Sequence, residues 1–238
     1  MRMRGDNMRC AKCGAPGCCV DMQGTVLCRR CLSESIKGRV VRWIRKASPR
    51  PRDDLILAVR NDLQSTAAVK LVYAVERAFD VTIQVLEIGD QPTLEELVGA
   101  LHFNYTFVDA DYNTYTEFRL RVLEHLPPRF SDPLVVLPDA LEDLVAYALG
   151  EVFLGKLRGL TLDAAFRVAY PLAAVSLREI AQAFPARLSN APKLYSLSSA
   201  RKIVEWALLS SPTLCNSTVQ SLLNVASAIK SREKYKTP

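Results

Sequence analysis

The stretch Asp54-Leu55-Ile56-Leu57-Ala58-Val59-Arg60-Asn61-Asp62-Leu63-Gln64-Ser65-Thr66 decides the fold. Its first part, Leu55 to Val59, is an unbroken apolar run, as in a strand buried on both faces. A polar break from Arg60 to Ser65 follows. Beyond it Ala68, Leu71, Val72, Val75 and Phe79 recur at helical spacing. The pattern then repeats. Val81–Ile88 reads as a second strand, Leu94–Leu101 as a short helix, Tyr105–Val108 as a strand and Glu117–His125 as a helix. Leu134–Leu137 is a further apolar run. The stripe Leu141, Leu144, Val145, Ala148, Leu149, Val152 and Phe153 makes a strong helix after it. Such alternation predicts an α/β fold, a parallel sheet with helices on both faces. The tail predicts helices over Ser176–Phe184, Ser198–Leu209 and Asn216–Ile229.

In a sheet of this kind ligands bind at the carboxyl ends of the strands. The loop Arg60-Asn61-Asp62-Leu63-Gln64-Ser65 is therefore where a phosphate would sit. Phosphate loops use glycine to bring backbone N–H groups close to the anion, with a helix N-terminus behind them. This loop holds no glycine. Ser65-Thr66 is the expected cap of the following helix. The position suits a nucleotide and the chemistry does not.

Upstream, the composition changes. The 238 residues carry a formal net charge of +6. Residues 1–52 hold 13 basic and 3 acidic side chains, net +10, and the remainder is net −4. Hydrophobic residues make up 49% and the mean hydropathy is +0.06, which excludes global disorder. The chain offers no apolar run long enough to span a membrane and no secretory leader pattern. Without export, clustered cysteines read as a metal site rather than as disulfides. The two histidines, His102 and His125, are expected in structural or surface roles. Neither a G-x-S-x-G elbow nor a Walker-type loop is present.

Six of the seven cysteines lie between Cys10 and Cys31. Cys10-x-x-Cys13 is followed, after 14 residues, by Cys28-x-x-Cys31. Two such pairs predict the four-thiolate shell of a zinc ribbon, which is closed and structural. Gly14 serves the tight turn, and Gly17 and Gly24 the hairpin between the pairs. Cys18 and Cys19 lie on that hairpin without the pair spacing, and either one could replace a ligand. A helix is predicted from Ser33 to about Lys46, with an apolar stripe of Ile36, Val40, Trp43 and Ile44. Residues 29–52 carry nine basic side chains against one acid, Glu34. Arg29, Arg30, Lys37, Arg39, Arg42, Arg45 and Lys46 are the candidates for neutralising the phosphates of a nucleic acid. Ser48-Pro49-Arg50-Pro51 reads as a linker. The expected units are a ribbon over 1–33, a basic helix and linker over 34–52, an α/β domain over 53–188 and a helical segment over 189–238.

Zinc ribbon, basic helix, strand, loop and helix in this order resemble the PP-loop ATP pyrophosphatases that thiolate tRNA. Their loop reads S-G-G-x-D-S, of which only Ser65 matches here. Their later G-H-N-x-D-D-like segment corresponds to Pro138-Asp139-Ala140-Leu141-Glu142-Asp143, without the histidine. Residues 54–238 contain one cysteine, Cys215, where the active members have more. The chain is most similar to the cytoplasmic tRNA 2-thiolation protein 2 family, a degenerate branch of that superfamily. Leu137-Pro138-Asp139, Leu144 and Leu154-Gly155-Lys156 resemble its L-G-D…L…L-G-R signature. Tyr170-Pro171-Leu172 with Leu177-Arg178-Glu179-Ile180-Ala181 resembles its R-P-[ML]…L-K-E-[VI]-A segment. Asn216-Ser217-Thr218-Val219 with Ala228-Ile229-Lys230 is similar to its terminal helix.

The resemblance implies a PP-loop-type sheet, similar to the adenine nucleotide alpha hydrolases. It implies a non-catalytic cytoplasmic subunit of a complex that 2-thiolates the wobble uridine (U34). This chain would bind tRNA and stabilise an active PP-loop partner in a heterodimer. ATP and Mg²⁺ would belong to that partner, and a ubiquitin-like carrier would supply sulfur. Residues 60–65 would be a vestigial nucleotide loop, with no catalytic residue in this chain. The alternatives are a self-sufficient ATP-dependent tRNA 2-thiouridine synthase, in which Ser65, Glu142 and Asp143 hold Mg²⁺ and phosphate, and a zinc-ribbon nucleic-acid adaptor.

Overall fold

The computed structural model describes residues 8–50, 53–76, 82–128, 130, 132–153 and 166–185, together with 217, 218, 221 and 224. A two-stranded hairpin comes first, β1 (Cys19–Val20) against β2 (Val26–Leu27). It leads into the long helix α1 (Arg29–Lys46). The body then runs β3 (Asp54–Val59), α2 (Leu63–Glu76), β4 (Thr82–Gly89), α3 (Glu95–Ala100), β5 (Asn104–Asp109), α4 (Tyr115–Glu124), β6 (Leu134–Val136), α5 (Leu141–Phe153), β7 (Arg167–Ala169) and α6 (Leu177–Ala183). The predicted helix over Ser198–Leu209 lies outside the described residues, as does most of Asn216–Ile229. No described helix is long and apolar enough to cross a membrane.

The five strands of the body form one sheet in the order β5-β4-β3-β6-β7, and every pairing is parallel. β3 is central, which is why its run from Leu55 to Val59 is apolar throughout. Its side chains alternate between two separate cores. Leu55, Leu57 and Val59 pack with residues of α1, α2, α3 and α6. Ile56 and Ala58 pack with Tyr115, Phe118 and Val122 of α4 and with Leu141, Leu144 and Tyr147 of α5. Both faces are therefore covered by helices, as the alternation of elements predicts.

The chain winds outward from β3 to β4 and β5, then returns to lay β6 on the other side of β3. The order reverses between β3 and β6, and this switch point at the strands' carboxyl ends is where folds of this kind place a ligand crevice. β7 has no counterpart in the sequence reading. Its three residues, Arg167-Val168-Ala169, are too few to show a period.

α1 begins four residues earlier than its apolar stripe suggests. Cys28 is its N-cap, and the sulfur accepts from the backbone N–H of Cys31 at 3.4 Å. Leu32, Ile36, Val40 and Ile44 form the buried stripe, in the same core as Leu55 and Leu57. The head is thus packed onto the body. Glu179 fastens it. This α6 carboxylate is 0% exposed and closes a capping box with Ser176. Its two oxygens also accept from Arg39 Nη2 at 2.8 Å and Nη1 at 3.0 Å, and from the backbone N–H of Met22 at 3.3 Å. One buried acid joins hairpin, α1 and α6.

Removing one member of a buried ion pair leaves the other uncompensated, at about 3–5 kcal/mol. Arg39 retains slight exposure, 13% against 1% for Glu179, so the lower end applies. Arg39→Ala is expected to cost about 3 kcal/mol in urea unfolding. A midpoint unchanged from the parent would show that the pair does not anchor the head.

Candidate functional site: a plugged crevice and a four-thiol head

The first site is the head. The sulfurs of Cys10, Cys13, Cys28 and Cys31 all lie within 4.8 Å of one another, and Cys13 and Cys28 are 3.7 Å apart. That spacing fits thiolates around one tetrahedral ion. Two knuckles build it. In the first, Gly14 donates its N–H to the Cys10 carbonyl at 2.9 Å and adopts φ +71°, a left-handed conformation that glycine takes without strain. In the second, the N-terminus of α1 turns Cys31 back beneath Cys28. Backbone N–H groups of Cys28, Cys13 and Lys12 aim at the Cys10 sulfur and lower its thiol to about 6. Cys28 is lowered by the N–H of Cys31. Cys31 is pushed up to about 12 by its hydrogen bonds to the sulfurs of Cys13 and Cys28. Crowded thiolates repel, and only a shared cation relieves all four together. Cys18 and Cys19 stand outside this group. Burial and the adjacent Cys18 push the Cys19 thiol up to about 11.

The basic residues of α1 divide. Arg30, Arg42, Arg45 and Lys46 are exposed, and Lys37 is half-buried. Lys46 Nζ lies 3.8 Å from the centre of the Trp43 ring, held over its face. Arg39 points into the body, bonded to Glu179 and to the Ala174 carbonyl at 2.7 Å. Arg29 is exposed, but its Nε donates to the Gln182 carbonyl at 3.2 Å. Both have internal partners that sequence spacing cannot reveal.

The second site is the crevice between β3 and β6. Arg60 follows β3 directly and turns inward, 1% exposed. Its Nε donates to Asp62 and its Nη1 to Asp139, both at 2.7 Å. Asp139 follows β6 and is 0% exposed. Its other oxygen accepts from Arg119 Nη2 of α4 at 2.8 Å. Arg119 also donates to the Tyr115 carbonyl at 3.1 Å and lies 3.9 Å from the Tyr147 ring centre. Arg60 lies 4.9 Å from the Phe118 ring centre. Its Nη2 is buried without a hydrogen-bond partner among the described residues.

Charge governs this cluster. Burial opposes the charge on Arg60, but Asp62, Asp139 and Asp143 outweigh it and hold its pKa well above the ordinary value. Burial likewise opposes ionisation of Asp139, and Arg119 and Arg60 outweigh it, keeping that carboxyl low. Asp143 behaves differently. Burial raises it, Arg60 partly compensates, and it accepts from Tyr115 Oη at 2.6 Å and from Gln64 Nε2 and the Ala140 N–H at 3.0 Å.

Several of the loop's donors are taken by the chain itself. Asp62 Oδ1 accepts from the Ser65 N–H at 2.7 Å, so Asp62, not Ser65, caps α2. The Arg60 N–H goes to Ser65 Oγ at 2.9 Å and the Asp62 N–H to the Arg60 carbonyl at 2.8 Å. The N–H of Thr66 goes to the Asp62 carbonyl at 3.2 Å. A nucleotide phosphate would need these donors. With those donors engaged and no glycine among residues 60–65, the loop lacks the open cradle of a glycine-rich phosphate loop. Glu142 and Asp143, expected with Ser65 as Mg²⁺ ligands in the self-sufficient alternative, have other work. Both Glu142 oxygens accept from the Leu177 N–H, at 2.9 and 3.0 Å, at the start of α6. Arg119, Tyr115 and Tyr147 complete the crevice, and no sequence motif marks them.

No family model matches the chain and no curated protein does. Solved structures do. The U34-tRNA thiolase NcsA from Methanococcus maripaludis, seen with its 4Fe-4S cluster, is similar at 14% identity and TM-score 0.70, over 93% of this chain and 88% of that one. An NH3-dependent NAD synthetase from Campylobacter jejuni has 14% identity and TM-score 0.45, over 88% and 97%. An NMN synthetase from Francisella tularensis has 12% identity and TM-score 0.46, over 85% and 95%. The likeness to the thiolase shows a shared fold. The architecture shared with that thiolase is a parallel five-stranded sheet flanked by helices, here with a four-cysteine head suited to a metal ion.

Two expectations follow for the crevice. Arg60→Ala leaves Asp62 and Asp139 short of a cation in the interior, and is expected to cost about 3–5 kcal/mol of unfolding free energy. A loss below about 1 kcal/mol, the scale of a surface pair, would mean that water enters the cluster. Burial also raises Glu142 from 4.5 to about 7. The native state then binds that proton more tightly than the unfolded state. Its contribution is present below pH 4.5 and lost as pH rises to about 7. Glu142→Gln should flatten this limb of the stability–pH curve, by up to about 3 kcal/mol. Parallel curves for variant and parent would refute the assignment.

Proposed function

We propose that this chain is a non-catalytic cytoplasmic subunit of a tRNA wobble-uridine 2-thiolation complex. One observation carries the reading: the loop where a PP-loop enzyme would hold nucleotide phosphates is filled by the chain's own charges. Asp62 supplies the anion at the N-terminus of α2, and the Arg60 guanidinium supplies the counter-charge. With these charges paired inside the chain and no glycine in the loop, an incoming phosphate would meet Asp62 where a glycine-rich loop presents free N–H groups. The fold shared with a U34-tRNA thiolase supports the reaction class. The exposed residues Arg30, Arg42, Arg45 and Lys46, with Lys37, support a phosphate-binding face on α1. ATP and Mg²⁺ act in a PP-loop partner, sulfur arrives on a ubiquitin-like carrier, and this chain contributes tRNA-binding surface to a heterodimer.

The metal of the head is zinc in this reading. Four sulfurs within 4.8 Å of one another suit a tetrahedral thiolate shell around a single ion, the geometry of structural zinc. A closed thiolate shell supplies folding energy and no open coordination position.

The decisive experiment mixes the purified chain with tRNA, ATP and Mg²⁺, with and without a catalytic PP-loop subunit, and measures AMP release and 2-thiouridine. Neither product is expected from the chain alone, and thiouridine is expected to rise when it joins the partner. AMP release by the chain alone, abolished by Ser65→Ala, would overturn the proposal in favour of a self-sufficient enzyme. Cys10→Ser with Cys13→Ser should remove about one zinc per chain and unfold the head. Equal metal content would refute the zinc site. Arg42→Glu, Arg45→Glu and Lys46→Glu together should weaken tRNA binding. Its salt slope should fall by about 0.7–0.9 for each phosphate no longer neutralised. An unchanged slope would make this a solvated face.

A further inference from the structure

The four-thiol cage leaves two cysteines of the head unused. Cys18 immediately precedes β1 and Cys19 is its first residue. Neighbouring side chains on a strand point to opposite faces. Accordingly Cys18 is exposed and Cys19 is 2% exposed. Their sulfurs are nevertheless 3.2 Å apart, bent towards each other around the strand. Neither belongs to the group formed by Cys10, Cys13, Cys28 and Cys31. A pair of adjacent thiols at this distance, one accessible and one shielded, has the arrangement of an attacking and a resolving cysteine.

We propose that Cys18–Cys19 is a redox modification site, oxidised to a disulfide by low-molecular-weight disulfides of the glutathione class while the four-thiol cage keeps its metal. The exchange has two steps. The Cys18 thiolate attacks one sulfur of the disulfide RSSR. A Cys18–SR bond forms, and RS⁻ leaves and takes up a proton. Cys19 sulfur then attacks the Cys18 sulfur. The Cys18–Cys19 bond forms, and the second RS⁻ leaves with the proton that Cys19 gives up. Two protein thiols lose two electrons in all, and one disulfide becomes two thiols. Entry is at Cys18, because Cys19 is packed among the core residues and closed to a bulky reagent. Resolution by Cys19 follows because its sulfur already lies against that of Cys18. The site adjoins the docking edge of the head. Val20 donates its N–H to Gln182 Oε1 of α6 at 2.7 Å, and its carbonyl accepts from Gln182 Nε2 at 3.4 Å. Closing a ring at Cys18–Cys19 reorients the peptide that leads into this pair of hydrogen bonds.

The test uses the full chain loaded with zinc and incubated with glutathione disulfide, read by intact mass, peptide mapping and metal content. The parent is expected to lose the mass of two hydrogens, mapped to the peptide holding Cys18 and Cys19, with zinc fully retained. Cys19→Ser should stop at a stable glutathione adduct on Cys18, and Cys18→Ser should remain unmodified. A persistent adduct in the parent would overturn the resolving role of Cys19. Absence of any product, or a disulfide within the cage with release of zinc, would overturn the proposal as a whole.

Discussion

The carboxylate of Asp139 is buried completely, with a guanidinium on each oxygen. A lone carboxylate there would be protonated or expelled, and each arginine alone would be a buried cation of comparable cost. The three charges are tolerable only together. Each comes from a different segment, Arg60 after β3, Arg119 on α4 and Asp139 after β6. Their mutual dependence fixes the crevice between β3 and β6 and, through Asp62, the start of α2. Aromatic rings close the remaining sides. Phe118 lies beside Arg60 and Tyr147 beside Arg119, giving the cations an apolar wall with a favourable quadrupole.

The same constraint explains how the loop after β3 holds its shape without glycine. A glycine-rich loop leaves its N–H groups free and relies on a bound anion to satisfy them. Here side chains of the chain itself perform that function. Asp62 satisfies the Ser65 N–H, and Ser65 satisfies the N–H of Arg60. These two donors are satisfied within the chain itself. The arrangement also separates architecture from chemistry. The parallel sheet and its switch point stand as structure, although the loop after β3 holds no glycine.

Most of the sheet is legible from sequence because its signals are local. Leu55 to Val59 declares a strand buried on both sides, and the Cys-x-x-Cys pairs declare a metal knuckle without any tertiary information. What escapes is long-range. Arg60 finds Asp139 across 79 residues, and Arg39 finds Glu179 across 140. No periodicity reports such pairings, so Arg39 reads as one more solvent-facing charge on a basic helix. The cap of α2 is misplaced for a smaller reason. Asp62 and Ser65 both suit a cap, and the choice turns on where Arg60 withdraws the backbone. Arg119 has no signal beyond being a charged residue on an amphipathic helix, where exposure is the ordinary expectation.

The charge asymmetry of the sequence therefore divides within α1 itself. One face of the helix is internal, carried by Leu32, Ile36, Val40 and Ile44 and locked by Arg39 onto Glu179. The opposite side keeps Arg30, Arg42, Arg45 and Lys46 in solvent. Because α1 is capped by Cys28, a residue of the thiol cage, the metal knuckle and the basic face share one rigid element. The cage holds the N-terminal end of the helix and Glu179 holds its middle. The positions of the exposed cations are then set by two anchors distant from any phosphate they would meet, and a polyanion bound there would sense both. Net charge measures how strongly such a head attracts a polyanion. The two anchors set the geometry in which one would be held.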